Sequence, residues 1–418
     1  MIFTRGKTGV SRRALIIGGS VGGLFAATLL RTIGWETLVF ERTNGNLADR
    51  GTGIGTREEL FAVMRRIGIA VDASIGVDVR SRICLDRDGT IAHELPIPAV
   101  TSSWARIYRR LRDALPAEDY RAGMPLARID QDADAVTAIF VDGTRVRGDL
   151  LIGADGLHST VRRQFLPDLA PRYAGYVAWR GAAGARDLPP ELQATILHHM
   201  IFCFSAKGLM LSIPMPADDD GGRACHFVWF RPVDETNLAA LCTDAEGRSH
   251  GVSIPPPLIR PEVIREVKAS AQAELAPQIA ALVTGTPQPI LQPIFDLETP
   301  RLVFGRVALS GDAAFVARPH TATGVMKAAL DAQCLTDALA GGDELHDALA
   351  DYEHKRSKFG RWLVERGRHI GTLLAAQPDG DGSAGTRHVA RMKIDRIMRE
   401  YGAAGVVADE AITARDFA

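Results

Sequence analysis

Apolar residues 14 to 17 (ALII) form a short run of the buried-strand kind, broken by a glycine-rich turn. Residues 21 to 33 then follow a helical period, and residues 36 to 40 (ETLVF) make a second strand ending at Glu41, so the chain opens on a βαβ unit. A helix near 57 to 67 and several strand-like segments lead to VTAIFVDGTRVRGDLLIGADG, where Asp142 and Gly143 predict a hairpin turn and DLLIG another buried strand. From about 172 to 295 the pattern changes to alternating runs such as FVWFRPV, with a loop rich in Asp and Gly at 217 to 222. RVALSG at 306 to 311 returns to a buried strand; helices follow over 324 to 340 and 346 to 373. The fold class is therefore α/β, with a dinucleotide-type domain over 12–171 and 296–375, an inserted β-sheet domain over 172–295, and a C-terminal helical segment. Residues 376–418 read as a linker, with PDGDGSAG at 378 to 385, and a short last helix.

Composition narrows the function. Among 418 residues, 49 basic and 50 acidic side chains nearly cancel, and no Lys/Arg block is interleaved with aromatics, so no nucleic acid partner is expected. The five cysteines, Cys84, Cys203, Cys225, Cys242 and Cys334, are scattered and show no CxxC, which suggests neither a disulfide framework nor a metal site. Arg5, Lys7, Arg12 and Arg13 come without an apolar leader, and no stretch approaches eighteen uninterrupted apolar residues, so no membrane association is expected and the cytoplasm is the expected compartment. Nothing in the sequence bears on assembly, which leaves room for a homodimer.

Between the first strand and helix stands IIGGSVGG, residues 16 to 23. Backbone NH groups and the positive helix end there suit a pyrophosphate, with Gly18, Gly22 and Gly23 allowing the tight turn and Ser20 replacing the middle glycine of the Rossmann GxGxxG fingerprint. Alone, this is also what a plain strand-to-helix turn looks like. Glu41 lies about twenty residues on, where a carboxylate accepts hydrogen bonds from an adenosine ribose; its bland alternative is a solvated charge paired with Arg42. A 2′-phosphate would be repelled at Glu41, which favours a flavin or NAD at this turn.

Two later turns each place an aspartate just beyond a buried strand: LIGADGLHSTVRR at Asp155, and GRVALSGDAAFVARPHTATG at Gly311 and Asp312. Together with the first turn they resemble the three fingerprints of the single-component FAD-dependent aromatic hydroxylases, the para-hydroxybenzoate hydroxylase fold, over roughly residues 12 to 370. Within that family, YAGYVAWRG at 173 to 181, IFDLETP at 294 to 300 and GDAAFVARPH look most similar to its pyridine-oxidising members.

The resemblance implies FAD held by Gly18, Ser20, Gly22 and Gly23 at the pyrophosphate and by Glu41 and Arg42 near the ribose. It also implies Asp155 near the pyrophosphate and the nicotinamide donor, Gly311 and Asp312 at the ribitol, and Gly324 and Val325 on the flavin ring. Tyr108 stands where the family commonly has Arg or Gln, which assigns that work to Arg106 or Arg109.

The implied activity is hydroxylation of an electron-rich hydroxylated aromatic or N-heteroaromatic ring, of the hydroxypyridine kind, using NADPH or NADH and O2 through a flavin C4a-hydroperoxide. A non-catalytic, flavin- or nucleotide-binding redox sensor is the alternative. Pro319 is expected to fix the backbone so that His320 faces the space between flavin and substrate as a base, the alternative being a structural histidine. In HFVWF, residues 226 to 230, alternation puts His226, Val228 and Phe230 on one face, which makes His226 a second catalytic candidate, with the same structural alternative. Arg180 is read as an interface residue.

Overall fold

The computed structural model describes residues 12–402 except 46, 51–52, 206–207, 218–221, 343 and 376–383. The expected linker at 378 to 385 and the loop at 217 to 222 therefore lie mostly outside the described residues.

Two large sheets organise the chain. In the first, Arg13–Ile17 is central and pairs in parallel with both Glu36–Phe40 and Leu150–Gly153. Ala14, Leu15 and Ile16 are wholly buried, as an apolar run covered on both faces of a parallel sheet must be. Val307–Leu309 extends the sheet beyond Leu150–Gly153, and Tyr120–Arg121 closes the other side. Helices Val21–Thr32 and Gly324–Ala340 pack on each other over this sheet, so the glycine turn from the start of the chain and the Asp312 turn from its last third meet. The hairpin at Asp142 and Gly143 forms between Val136–Phe140 and Arg145–Gly148, with Gly143 at φ +86°.

The second sheet has eight strands in the order Phe315–Val316, Ile290–Glu298, Arg172–Gly184, Arg223–Pro232, Gly208–Pro216, His199–Ser205, Ser81–Leu85 and Ile91–Leu95. It departs from the expected insertion over 172–295, because Ser81–Leu85 joins it by parallel pairing with His199–Ser205 and brings Ile91–Leu95 along. Such pairing between distant segments leaves no local signature in the sequence. One face of the sheet carries Phe227 and Trp229 into a core with helices Pro261–Glu274 and Pro277–Gly285. The opposite face, with Val228 and Phe230, packs partly against Ile397, Met398 and Tyr401 at the end of helix Ala384–Glu400. Among the described residues, no helix is long and apolar enough to cross a membrane.

Candidate functional site

A cavity of about 480 Å³ opens above the first sheet. Its lining brings together Gly18, Ser20, Gly22, Glu41, Arg42, Asp155, Gly311, Asp312, Gly324 and Val325. Gly18 adopts φ +114°, and a Cβ there would fall inside the carbonyl of Ala154; a Cβ on Gly23 would overlap the carbonyl oxygen of Gly18. The cradle is thus shaped by missing side chains. Ser20, at the N-cap of Val21–Thr32, spends no side-chain bond on the helix, so its hydroxyl and the first-turn amides are left for an anion.

The carboxylate of Glu41 is buried and accepts from the Gly19 amide at 2.9 Å and the Thr43 amide at 3.0 Å, which fixes it against the glycine turn. Each oxygen keeps a second lone pair for a ribose hydroxyl. Asp155 serves its own loop: it accepts from Ser159 Oγ at 2.5 Å and from the amides of Thr160 at 2.7 Å and Val161 at 3.1 Å at the start of helix Thr160–Phe165. Burial pushes its carboxyl above the ordinary value against these bonds.

Asp312 is exposed to the cavity but recessed within the protein, and burial pushes its carboxyl up while Lys327 pulls it down. Beneath it lies a cluster absent from the sequence reading. Asp331 accepts from Lys327 Nζ at 2.9 Å, Arg356 Nε at 2.7 Å and the Gly311 amide at 3.0 Å; Lys327 also donates to the Gly311 carbonyl at 2.7 Å. All three side chains are buried. The i,i+4 spacing of Lys327 and Asp331 was its only signal in the sequence.

Arg106 and Arg109 do not line this cavity. Arg106 instead donates to the carbonyls of Ser74 and Ala217, and Arg109 is exposed. Helix Trp104–Asp113 sets this phase: Trp104 faces the cavity, Ile107, Tyr108 and Leu111 are buried, and the two arginines fall outside that stripe. Tyr108 stacks on Trp104 with ring centroids 5.0 Å apart.

Sharing Trp104, Asp312, Gly324 and Val325 with the first cavity, a second of about 750 Å³ lies between the two sheets. The sheet wall contributes Met200, Ile213, His226, Val228, Arg180, Gln292 and Ile294; Tyr401 and Gly402 close another side. Arg82 donates to the Tyr401 carbonyl at 2.7 Å and to that of Met398, while Arg57 donates to that of Gly402, tying residues 398–402 to the wall. His226 is buried under Gly53, and burial first and Arg180 second push its imidazole down to about 3, so it is neutral near neutral pH.

His320 does not face this space. Residues Pro319–Thr321 form a 3₁₀ turn, in which each residue advances by about 120°. Pro319 and Thr321 line the cavity, whereas His320 is turned behind it. There its Nε2 sits 2.6 Å from the Tyr176 hydroxyl and its ring packs edge-on against Phe230 at 4.5 Å. Burial first and then Arg318 push His320 down to about 3.

The glycine cradle, free helix-end amides and recessed Asp312 suit the phosphate, ribose and ribitol groups of FAD, and the second cavity adjoins where its ring would end. Comparison with known proteins agrees. Residues 173–296 match the family described as FAD binding domain-like. The chain is 29% identical to 2,6-dihydroxypyridine 3-monooxygenase of Paenarthrobacter nicotinovorans over 87% of this chain and 91% of that one. It is 30% identical to the FAD-dependent urate hydroxylase of Klebsiella pneumoniae over 85% and 88%. The solved structure of 2,6-dihydroxypyridine-3-hydroxylase from Arthrobacter nicotinovorans superposes with a TM-score of 0.84 at 28% identity, covering 90% of this chain and 96% of that one. With a fold, a cofactor cradle and relatives in common, the chain belongs to the FAD-dependent aromatic monooxygenases.

Proposed function

We propose that this enzyme hydroxylates an electron-rich hydroxylated aromatic or N-heteroaromatic ring, of the hydroxypyridine kind, with NADH or NADPH as electron donor and O2 as co-substrate. The observation that carries the proposal is the junction of two cavities at Trp104, Asp312, Gly324 and Val325. A dinucleotide-sized cradle ends there at a mostly apolar chamber large enough for a small ring. Bound FAD supplies the electrons and the activation of O2 that no side chain provides.

The chain's own groups bind, orient and exclude water. Gly18, Ser20 and Gly22 receive the pyrophosphate, with Gly23 admitting the Gly18 carbonyl behind them; Glu41 and Asp312 hold ribose and ribitol hydroxyls; Gly324 and Val325 offer amides at an uncapped helix start. Residues 172–295 supply the sheet wall of the chamber, segments 53–57, 97–104 and 312–325 much of the rest, and residues 12–171 with 296–375 the cofactor cradle. Pro319 and Thr321 bring backbone to the chamber where the ring would lie, and His226 presents a neutral imidazole face. His320 acts through packing behind Pro319.

The purified protein is expected to be yellow and to oxidise NAD(P)H faster when a hydroxypyridine or phenol is added, with a hydroxylated product formed. Oxidation indifferent to every aromatic ligand would instead identify a flavin-binding redox sensor.

A further inference from the structure

Three oxidisable rings run from the junction of the two cavities to the edge of the first sheet. Trp104 lines both cavities, so a flavin ring ending at their junction would lie beside its indole. One helical turn on, Tyr108 stacks on Trp104 with the ring planes 9° from parallel, the contact open to residues four apart on Trp104–Asp113. Tyr108 is 6% exposed and lines neither cavity, so it meets the cofactor only through Trp104. Its hydroxyl oxygen lies 3.5 Å from that of Tyr120, in the edge strand Tyr120–Arg121. Tyr120 is half-buried and donates to the Gly19 carbonyl at 3.3 Å; a Cβ on Gly19 would overlap the Tyr120 hydroxyl, so the glycine turn makes room for this ring.

The charges around Tyr120 suit an electron donor that sheds its proton. Glu41, which accepts from the Gly19 amide, bears its negative charge on Tyr120 and eases the loss of an electron. The Arg112 guanidinium sits 4.5 Å over the ring, which disfavours a radical cation and favours the neutral radical left by proton loss. Burial first and then the Tyr108 hydroxyl push the Tyr120 phenol up, so it keeps its proton until it is oxidised. Indole and phenol are among the side chains most readily oxidised by one electron. Electronic coupling falls off exponentially with distance, so short steps between touching rings outrun one long step.

We infer that Trp104, Tyr108 and Tyr120 form an electron path that draws stray oxidising equivalents away from the flavin ring and the substrate chamber and leaves them on Tyr120. The oxidant is a hydroxyl radical, of the class released when activated oxygen decays without reaching a substrate. It takes one electron from Trp104 and one proton from solvent and becomes water. Tyr108 refills the indole, and Tyr120 refills Tyr108. The O–H bond of Tyr120 then breaks, and its proton passes to solvent at the half-exposed ring. The net change is one hydroxyl radical reduced to water and one neutral radical on Tyr120, to which a soluble thiol can return a hydrogen atom. The inference rests on FAD in the cradle and not on which ring is hydroxylated; ligand-stimulated NAD(P)H oxidation tests the proposed function separately.

Blue light on the FAD-loaded protein makes the flavin itself the one-electron oxidant, with no NAD(P)H or substrate present, and a cobalt(III) ammine in solution then takes that electron so that the hole is trapped. Electron paramagnetic resonance of the frozen wild type is expected to show a neutral tyrosyl radical. Tyr120→Phe should lose that signal while flavin fluorescence stays quenched, because Trp104 still donates and buried Tyr108 has no solvent to take its proton. Tyr108→Phe should lose the signal in the same way, by breaking the path at its middle. Trp104→Phe should lose it and brighten the flavin fluorescence as well. FAD content reports that each variant is folded. In the wild type alone, ring-deuterated tyrosine should narrow the signal, which tests the residue type even if a variant fails to fold. A wild type without a tyrosyl radical, an unchanged spectrum in Tyr120→Phe, or flavin fluorescence unmoved by Trp104→Phe overturns the inference.

Discussion

Replacing Asp331 by Ala tests what holds the Asp312 turn. The carboxylate is 3% exposed, and its two cationic partners, Lys327 and Arg356, are 1% and 3% exposed. Burial alone would push the Asp331 carboxyl up, but Lys327 and Arg356 together bring it below the ordinary range, so it is ionised throughout the working pH. Its removal strands two cations in the interior, and breaking a buried pair from one side costs about 3 to 5 kcal/mol. Against a total stability of about 5 to 15 kcal/mol, that is a large fraction. The same carboxylate anchors the Gly311 amide at 3.0 Å. A hydrogen bond to a charged group contributes about 1.5 to 3 kcal/mol, so if the freed turn lets Asp312 drift, FAD affinity falls by roughly ten- to a hundredfold. Urea unfolding of the FAD-free protein reads the first effect and FAD titration the second, which keeps cofactor linkage from mixing them. A stability loss under about 1 kcal/mol with unchanged FAD affinity would refute the reasoning. Replacing all three residues, as Lys327→Met, Asp331→Leu and Arg356→Met together, should recover much of the stability and little of the FAD affinity.

Gly23→Ala places a methyl group against the Gly18 carbonyl oxygen, so the protein should purify with little or no FAD; a normal flavin complement would show that the turn can shift to admit it. His226 and His320 are both held near 3 in the fold and titrate near about 6.5 when unfolded, so the unfolded chain takes up protons first as pH falls. Stability contributed by their neutral forms is full above about pH 7 and is lost from about 6.5 downward, at up to roughly 1.4 kcal/mol per unit for each imidazole. His320→Gln should halve the part of the slope that these two imidazoles contribute between about pH 6.5 and 5 in thermal melts, and an unchanged slope would contradict the burial assigned here.

The parts of the site legible in the sequence were those set by short-range geometry. Gly18, Gly23 and Glu41 lie within one βαβ unit, where strand, turn and helix periods fix their relative places, and the Gly311–Asp312 break ends a three-residue strand. Direction was harder to read than position. His320 follows Pro319 as expected, but one step of a 3₁₀ turn carries it to the far side, onto Tyr176. Arg106 and Arg109 lie on helix Trp104–Asp113, which the sequence reading did not mark, and miss the cavity by its phase. Arg180, read as an interface residue, reaches the chamber because its strand is central and its face is set by pairing with Val228. Tyr401 enters only through tertiary closure, when Arg82 captures its carbonyl.

The first sheet also dictates an order of events during synthesis. Arg13–Ile17 lies beside Leu150–Gly153, which in turn needs Val307–Leu309 at its other edge. Until residue 309 leaves the ribosome, that sheet keeps an open, apolar edge, and Asp312 with its supporting lysine and arginine does not yet exist. Contacts so distant in sequence form slowly and expose aggregation-prone surface meanwhile. Loading of the flavin is therefore a late step that waits for Val307–Leu309, and a nascent chain stalled before residue 300 would carry the glycine turn without being able to keep the cofactor.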